Sequence, residues 1–241
     1  MSYQRARPTF NADSSGASSP SRTGSYNEAY VASISNRELF AADEGSSYVA
    51  INPTAGTGII GHAAPTTFDE TKANLYIYNG NTTGSGINIY MQSILLVETV
   101  VSVGGTRVQF NFSTDTGNLY SSGGSALTIN NVNKASTNTS KAVIYAGAAV
   151  LTAATSSRTL LGNHVIRGAN VDVVWDHYEF IFGAPGGSTG GAVTPTTVAQ
   201  HFTRTVPPII IGPGQSFKMV VWAASETTGP TYEYIVNFLE R

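Results

Sequence analysis

The spacing most suggestive of binding chemistry in this chain is a glycine triplet, formed by Gly56, Gly58 and Gly61. It matches the G-x-G-x-x-G pattern of dinucleotide-binding loops, in which the third glycine lies in a helix whose N-terminus holds the pyrophosphate. Here Pro53 and Pro65 flank the triplet, and no amphipathic helical pattern follows it. The triplet therefore predicts a glycine-rich structural loop, and we expect the protein to use no nucleotide or other cofactor.

Histidines and carboxylates do not show the spacing of a metal site or a catalytic pair. The chain has no cysteine, which excludes thiol nucleophiles and cysteine-zinc sites. On a strand Asp176 and His177 would face opposite sides of the sheet, so we interpret His177 and Glu179 as an exposed pair. The sequence thus predicts neither metal-binding nor catalytic residues, and a protein that is not an enzyme. The four histidines, none of them in an H-x-H or H-E-x-x-H motif, are His62, His164, His177 and His201.

Tyrosine is abundant, with 12 residues in the chain. Its side chain combines a large ring with a hydroxyl group, which suits both subunit interfaces and platforms for sugar rings. On alternating strands such residues are more often core or subunit contacts, and we adopt that interpretation while sugar binding stays open. The tyrosines concerned are Tyr76, Tyr78, Tyr90, Tyr120, Tyr145, Tyr232 and Tyr234.

The composition indicates a protein that works through neutral surfaces. Charged residues make up 12% of the chain, against roughly 25% in an average soluble domain, and Gly, Ser, Thr and Asn take their place. A net charge of −2 argues against nucleic-acid and anionic-membrane partners. Neither a signal peptide nor an apolar run long enough to span a bilayer is recognisable, so we expect a soluble protein made in a cytoplasm.

The chain divides by composition near residue 40. Residues 1–40 are rich in small polar residues and lack apolar periodicity, so alone they bury too little surface to offset their ordering entropy. We predict a flexible N-terminal arm over residues 1–40 and a folded β-sandwich body over residues 41–241. The arm is either disordered or ordered against a neighbouring molecule, and its candidate anchors are Tyr3, Phe10, Tyr26 and Tyr30.

The body shows the pattern of short strands separated by turns. Val108, Phe110 and Phe112 alternate with polar residues, which predicts a strand with one buried face. Gly104-Gly105 between two β-prone runs predicts a hairpin, and the Thr-Pro start of residues 194–202 predicts a short helical segment. Strands are predicted at residues 48–52, 74–78, 87–103, 106–112, 126–131, 141–145, 160–167, 171–182, 215–223 and 232–239, with residues 148–154 open between helix, strand and coil.

A proline-glycine corner narrows the predicted topology. Residues 206–211 and 215–222 are β-prone runs joined by Gly212, Pro213 and Gly214. A tight corner of this kind recurs in jelly rolls, where the chain crosses from one sheet to the other. The fold class predicted from the sequence is all-β, an antiparallel β-sandwich with jelly-roll-like connections and an extended N-terminal arm.

Residues 52–68, Asn-Pro-Thr-Ala-Gly-Thr-Gly-Ile-Ile-Gly-His-Ala-Ala-Pro-Thr-Thr-Phe, resemble a segment found in virion structural proteins of tailed bacteriophages. Arg167-Gly168, the stretch from Pro207-Pro208 to Gly214 and the final Glu240-Arg241 are similar as well. These segments cover scattered parts of residues 48–241 and none of the N-terminal arm. The resemblance points to a phage particle protein and is less specific about which part of the particle.

The resemblance implies a β-sandwich that assembles as a homotrimer on the outside of the capsid, as cement or decoration proteins do. Its partners would be other copies of itself and the major capsid protein. Its location would be the capsid surface of the virion, after synthesis in the host cytoplasm, and no catalytic residues come with it. The alternative is a tail or fibre module that binds host-surface glycan. A cement protein predicts many copies per particle, and a receptor-binding module predicts few.

Overall fold

The computed structural model describes most of the body and short parts of the N-terminal region. The described residues are 10–12, 18–20, 37–61, 66–104, 106–152, 159–165, 173–183, 201–224 and 226–241. The chain divides into two compact units, Met1–Phe40 and Ala41–Arg241. In the first unit, β1 (Phe10–Ala12) and β2 (Ser18–Pro20) form an antiparallel pair. The prediction of a flexible arm falls mainly on residues outside the described ranges.

The rest of the described chain is mostly β-structure. Helix α1 (Arg37–Asp43) is its one helix, a short segment that the sequence analysis did not predict. No helix in the described ranges is long and apolar enough to cross a membrane. The strands are β3 (Ser47–Ile51), β4 (Ile59–Ile60), β5 (Lys72–Asn79), β6 (Ile89–Val100), β7 (Thr106–Asp115), β8 (Tyr120–Ala126), β9 (Thr128–Asn131), β10 (Ala142–Leu151), β11 (Thr159–Val165), β12 (His177–Phe182), β13 (His201–Val206), β14 (Ile210–Ile211), β15 (Ser216–Ala224) and β16 (Thr231–Glu240).

These strands form two sheets. The six-stranded sheet has the order β11-β7-β15-β5-β10-β8. The eight-stranded sheet follows the order β13-β12-β6-β16-β3-β9, with β4 beside β16 and β14 beside β6. Among the described strand pairs only β12–β13 is parallel, and the others are antiparallel. The predicted all-β fold class is therefore confirmed.

One hydrophobic core lies between the two sheets. Phe110 of β7, in the six-stranded sheet, has its ring centroid 5.3 Å from that of Tyr178 and 5.1 Å from that of Phe180, both in β12 of the other sheet. Such tilted aromatic pairs add to the stabilisation from buried area. The inward face of β16 is equally apolar, and its fully buried side chains are Tyr232, Tyr234, Val236 and Phe238. The two sheets thus pack face to face, as in a β-sandwich.

Most predicted strands are confirmed, with changes at their ends. Val108, Phe110 and Phe112 are buried, as the alternating pattern predicts. Residues 148–151 belong to β10, so the open choice for them resolves as strand. The predicted strand at residues 126–131 is divided at Leu127, where the chain passes from the six-stranded to the eight-stranded sheet.

The hairpin predicted at Gly104-Gly105 is wrong. β6 and β7 lie in different sheets and do not pair with each other. Val103 instead bridges Thr228, and the chain then enters the opposite sheet. The apolar face of β7 packs across the core against β12, where Phe110 contacts Tyr178 and Phe180, and the local Gly-Gly signal carries no information on this long-range contact.

The proline-glycine corner does connect the two sheets. β14 pairs with β6 in the eight-stranded sheet, and β15 pairs with β5 and β7 in the six-stranded sheet. Gly214 has a φ of +77°, a conformation that glycine adopts without steric cost.

The helix predicted at residues 194–202 is wrong for its last two residues, which begin β13, and the rest of it lies outside the described residues.

Candidate functional site

Gly56 lies in a turn, Gly58 directly precedes the short strand β4 and Gly61 directly follows it, and no helix begins within the triplet. The Gly56 N–H donates a hydrogen bond to the Glu233 carboxylate of β16. A Cβ atom on Gly58 would overlap Thr99, and one on Gly61 would lie 2.8 Å from the Asn74 amide nitrogen. Close packing at Gly58 and Gly61, together with the φ of +75° at Gly56, therefore accounts for the glycine spacing that resembles a dinucleotide-binding loop.

The Asp-His-Glu group lies at the parallel pair β12–β13. His177 is paired with His201, and their ring centroids are 5.6 Å apart. His201 Nε2 lies 3.2 Å from Glu179 Oε2, and the Thr203 hydroxyl donates to the same oxygen at 3.2 Å. His177 and Glu179 share the partly exposed face of β12, as predicted, and parallel pairing also brings His201 of β13 within reach of the Glu179 carboxylate.

This His-Glu group is a partly exposed contact between the two parallel strands. The His201 side chain is largely exposed, and exposed ion pairs contribute little to stability. No three His, Cys, Asp or Glu residues in the described part of the chain are arranged to hold a metal ion. His164 lies in β11. His62 lies outside the described residues. Residues 186–190 match the serine-nucleophile pattern G-x-S-x-G, and they lie outside the described residues as well.

Two carboxylates lie inside the body, at the junction of β6 and β12. Glu98 and Asp176 are fully buried. The Tyr178 hydroxyl donates to Glu98 Oε2 at 3.3 Å, and the Val173 N–H donates to Asp176 Oδ2 at 3.0 Å. Buried carboxylates are costly unless hydrogen bonded. Both side chains are closed off from solvent and hydrogen-bond within this junction.

Four tyrosines lie on the outer side of the six-stranded sheet. We call this surface the tyrosine face, formed by Tyr76, Tyr78, Tyr120 and Tyr145. The Tyr120 and Tyr145 rings stack with centroids 4.0 Å apart and planes at 4°. The buried Tyr76 hydroxyl donates to Asn118 Oδ1 at 2.9 Å. Burial raises the pKa of Tyr76 and of Tyr120, and the neighbouring Tyr145 raises the pKa of Tyr120 further. The phenols of Tyr76 and Tyr120 therefore stay neutral at physiological pH.

A turn before β12 presents a tryptophan that the sequence analysis placed in a strand. Trp175 has a φ of +72°, and its side chain is 57% exposed. The Asp176 N–H donates to the Val173 carbonyl at 2.9 Å, so Trp175 is the third residue of a β-turn, where a positive φ normally selects Gly or Asn. The run Val173-Val174-Trp175 has the composition of a strand, and no sequence signal marked the turn.

Further exposed apolar side chains lie at the end of the eight-stranded sheet that carries Trp175. Val100 ends β6 and pairs with Thr231, which also pairs with Ile60 of β4. Val103 forms its bridge with Thr228, just before β16. We call this surface the end patch, formed by the exposed side chains of Ile60, Val100, Val103, Val174 and Trp175.

The fold and these groups define an all-β protein with two mainly antiparallel sheets, whose candidate functional groups form two surfaces, the tyrosine face and the end patch. No protein-family model, curated protein or solved structure matches the chain. Its function is therefore inferred from these surfaces and from the sequence itself.

Proposed function

We propose that this chain is a structural subunit of a tailed-bacteriophage particle. It binds the outside of the capsid and stabilises it, as a cement or decoration protein does, and it acts as a homotrimer rather than as an enzyme. Its partners are then other copies of itself and the major capsid protein. The resemblance of residues 52–68 and of the corner at Gly212–Gly214 to phage virion proteins supports the virion assignment.

The observation that carries the proposal is the nearly uncharged surface of the exposed strands. β8 forms one edge of the six-stranded sheet, is exposed over most of its length, and contains only Tyr, Ser, Gly and Ala. β9 continues this edge in the eight-stranded sheet with Thr, Ile and Asn. Surfaces of this kind repel neighbouring copies weakly and bury no charge on contact. They suit a subunit that packs against flat neighbours.

We also propose that the connections are jelly-roll-like. The chain changes sheet between β6 and β7, between β8 and β9, and again between β14 and β15 at the proline-glycine corner. Repeated crossing between two packed antiparallel sheets is a feature of jelly rolls, a fold common in capsid proteins. The crossings support this topology as the basis of the proposed role.

A tail or fibre module that binds host-surface glycan is the second candidate, and the tyrosine face favours it. Aromatic rings suit sugar binding because their faces pack against apolar C–H groups. The Tyr120 and Tyr145 rings, however, stack on each other, so one face of each ring is already covered. The face therefore offers less ring surface to a sugar than free tyrosines would.

The proposal is tested by adding the purified protein to capsids that lack it. We expect the protein to co-sediment with the capsids at a saturating ratio and to raise the temperature at which they release their DNA. Absence of both effects would contradict the cement role. A second arm measures binding to host cells for the wild type and for a Tyr120→Ser, Tyr145→Ser variant. The cement role predicts that the double variant and the wild type bind host cells equally, or not at all. The glycan-binding candidate predicts that the wild type binds and that the double variant binds more weakly.

A further inference from the structure

We propose that Tyr120 and Tyr145 form an oxidative cross-linking site, at which a covalent bond between the two rings fastens the edge strand β8 to β10. The oxidant is hydrogen peroxide acting through a peroxidase-type one-electron oxidant, and the product is a dityrosine within one chain. The inference goes beyond the proposed function and does not depend on it, because it concerns the chemistry of two side chains of a single subunit.

The two rings are arranged as bond formation between them requires. Their planes differ by 4° and their centroids lie 4.0 Å apart, so the face of one ring lies against the face of the other. A new bond to an aromatic carbon forms at the face of the ring, and reacting groups held near contact distance react much faster than free molecules. Two other tyrosine pairs lack this geometry: Tyr76 and Tyr120 are 6.3 Å apart, and Tyr232 and Tyr234 are 6.0 Å apart at 87°.

Both rings of the stack are reachable from solvent and are held in place. Tyr120 and Tyr145 are half-buried, whereas Tyr234 is enclosed in the core. The Tyr120 hydroxyl donates to the Gly123 carbonyl at 2.9 Å, which fixes the ring against its own strand. Burial and the neighbouring Tyr145 both raise the pKa of Tyr120, and the second effect is expected where two phenol groups lie close together. A dissolved oxidant therefore meets a pair that is already positioned.

The reaction removes two hydrogen atoms from the pair. Each phenol gives one electron to the oxidant and its hydroxyl proton to water, which leaves two tyrosyl radicals. A carbon–carbon bond then forms between one ring carbon next to the hydroxyl in Tyr120 and its counterpart in Tyr145. The hydrogens on these two carbons move to the oxygens and restore both phenols. One hydrogen peroxide takes up the two electrons and two protons and becomes two waters.

Strand β8 is the element that such a bond would hold. Among the described strands it pairs with β10 alone, and this pairing shifts register at two places. Gly123 and Gly124 have φ values of +72° and +69°, which bend the strand and disrupt its ladder. Tyr120 is the only large side chain in a strand otherwise made of Ser, Gly and Ala. The ring stack is therefore the place where a side chain can tie this edge to the sheet.

The test treats the purified protein with a haem peroxidase and hydrogen peroxide and follows the fluorescence of dityrosine. Mass spectrometry should find single chains that have lost two hydrogen atoms, with the Tyr120 peptide joined to the Tyr145 peptide. Tyr120→Phe keeps a ring in the stack but removes one phenol, and its dityrosine yield should be lower by roughly tenfold or more. Tyr78→Phe is the matched control, because Tyr78 is half-buried in the same cluster but outside the stack, and it should react like the wild type.

Thermal unfolding gives a second readout. The cross-link restricts the unfolded chain between the two residues, as a disulfide does, so the oxidised wild type should melt roughly 5 °C or more above the untreated protein. Oxidised Tyr120→Phe should show no such rise. Equal dityrosine yields in Tyr120→Phe and the wild type, coupling only between separate chains, or no coupling at all would overturn the inference. Capsid binding is measured separately, so failure of the proposed function leaves this result unchanged.

Discussion

The phenol of Tyr234 lies fully buried in the core, on the inward face of β16. Burial raises its pKa, and the nearby Asn74 side chain and Gly147 backbone offset only part of the effect. Asn74 Oδ1 in turn accepts the Val221 N–H at 2.8 Å, and its amide nitrogen fills the space above Gly61. Gly61, part of the triplet that resembles a dinucleotide-binding loop, therefore lies against Asn74, which is close to the buried, neutral phenol of Tyr234.

Ionisation of Tyr234 should make stability depend on pH at the alkaline end. Because its pKa is raised above the ordinary 10.0, the folded protein keeps this proton at a pH where the unfolded chain loses it. The stabilisation is complete below that value and is lost as pH rises above it, by about 1.4 kcal/mol per pH unit for one group. Replacing Tyr234 with Phe removes this ionisation. Above about pH 10 the free energy of unfolding of Tyr234→Phe should therefore fall less steeply than that of the wild type, by about 1.4 kcal/mol per pH unit.

Urea unfolding at about pH 8 and about pH 11 measures this decline. Phe110→Leu is the control, because it weakens the same core without removing a phenol, and it should show the wild-type decline between the two pH values. An identical decline in Tyr234→Phe and the wild type would contradict the assignment of a buried, protonated Tyr234.

Residue patterns predicted some features of the candidate surfaces and missed others. The alternation of side-chain directions along a strand correctly predicted that Asp176, which is buried, and His177 face opposite sides. It did not reveal Trp175, because the left-handed position of a turn is normally recognised by Gly or Asn, and here it is tryptophan. It also did not reveal the partner of Glu179, since His201 comes from a strand that is distant in sequence.

At the scale of strands, positions follow from local patterns, whereas pairing depends on the whole core. The period-two burial of β16 was readable from the sequence because one face of the strand carries only aromatic and aliphatic side chains. Gly104-Gly105 looked like a hairpin because the glycine signal is local. The chain crosses to the other sheet, where Phe110 packs against Tyr178 and Phe180. These residues are far apart in sequence, so a short segment does not reveal their contacts.

The proline-glycine corner between the sheets is held by Asn79, at the end of β5. Its side chain is fully buried, and Nδ2 donates to the Ile87 and Ile211 carbonyls, each at 2.9 Å. The Gly214 N–H donates to the Asn79 carbonyl at 2.9 Å. One residue thus connects the corner to both sheets.

Asn79→Ala should lower the free energy of unfolding by about 3 kcal/mol, because it leaves a buried carbonyl without its donor and removes a second hydrogen bond. Asn88→Ala is the matched control. The Asn88 amide donates to the Gly86 carbonyl at the surface, and its loss should change stability by less than about 0.5 kcal/mol. Denaturant midpoints compare the two variants. Equal effects would show that the corner does not depend on Asn79.

At the scale of the whole molecule, the described core residues all lie in the second unit, between Ala41 and Leu239. The core is closed by aromatic packing between two sheets, and the few buried charges are enclosed within it. What the body leaves exposed is largely neutral, with an apolar patch at one end. This distribution supports the proposed contacts with other proteins, on which the homotrimer and capsid proposals both depend.

The copy number of this chain in purified phage particles tests the central claim most directly. Quantitative mass spectrometry would compare it with the major capsid protein of the same particles. The cement role predicts an abundance equal to, or a simple fraction of, that of the major capsid protein, because each capsid site repeats over the whole shell. A few copies per particle, as expected of a tail fibre, or absence from the particle would contradict it.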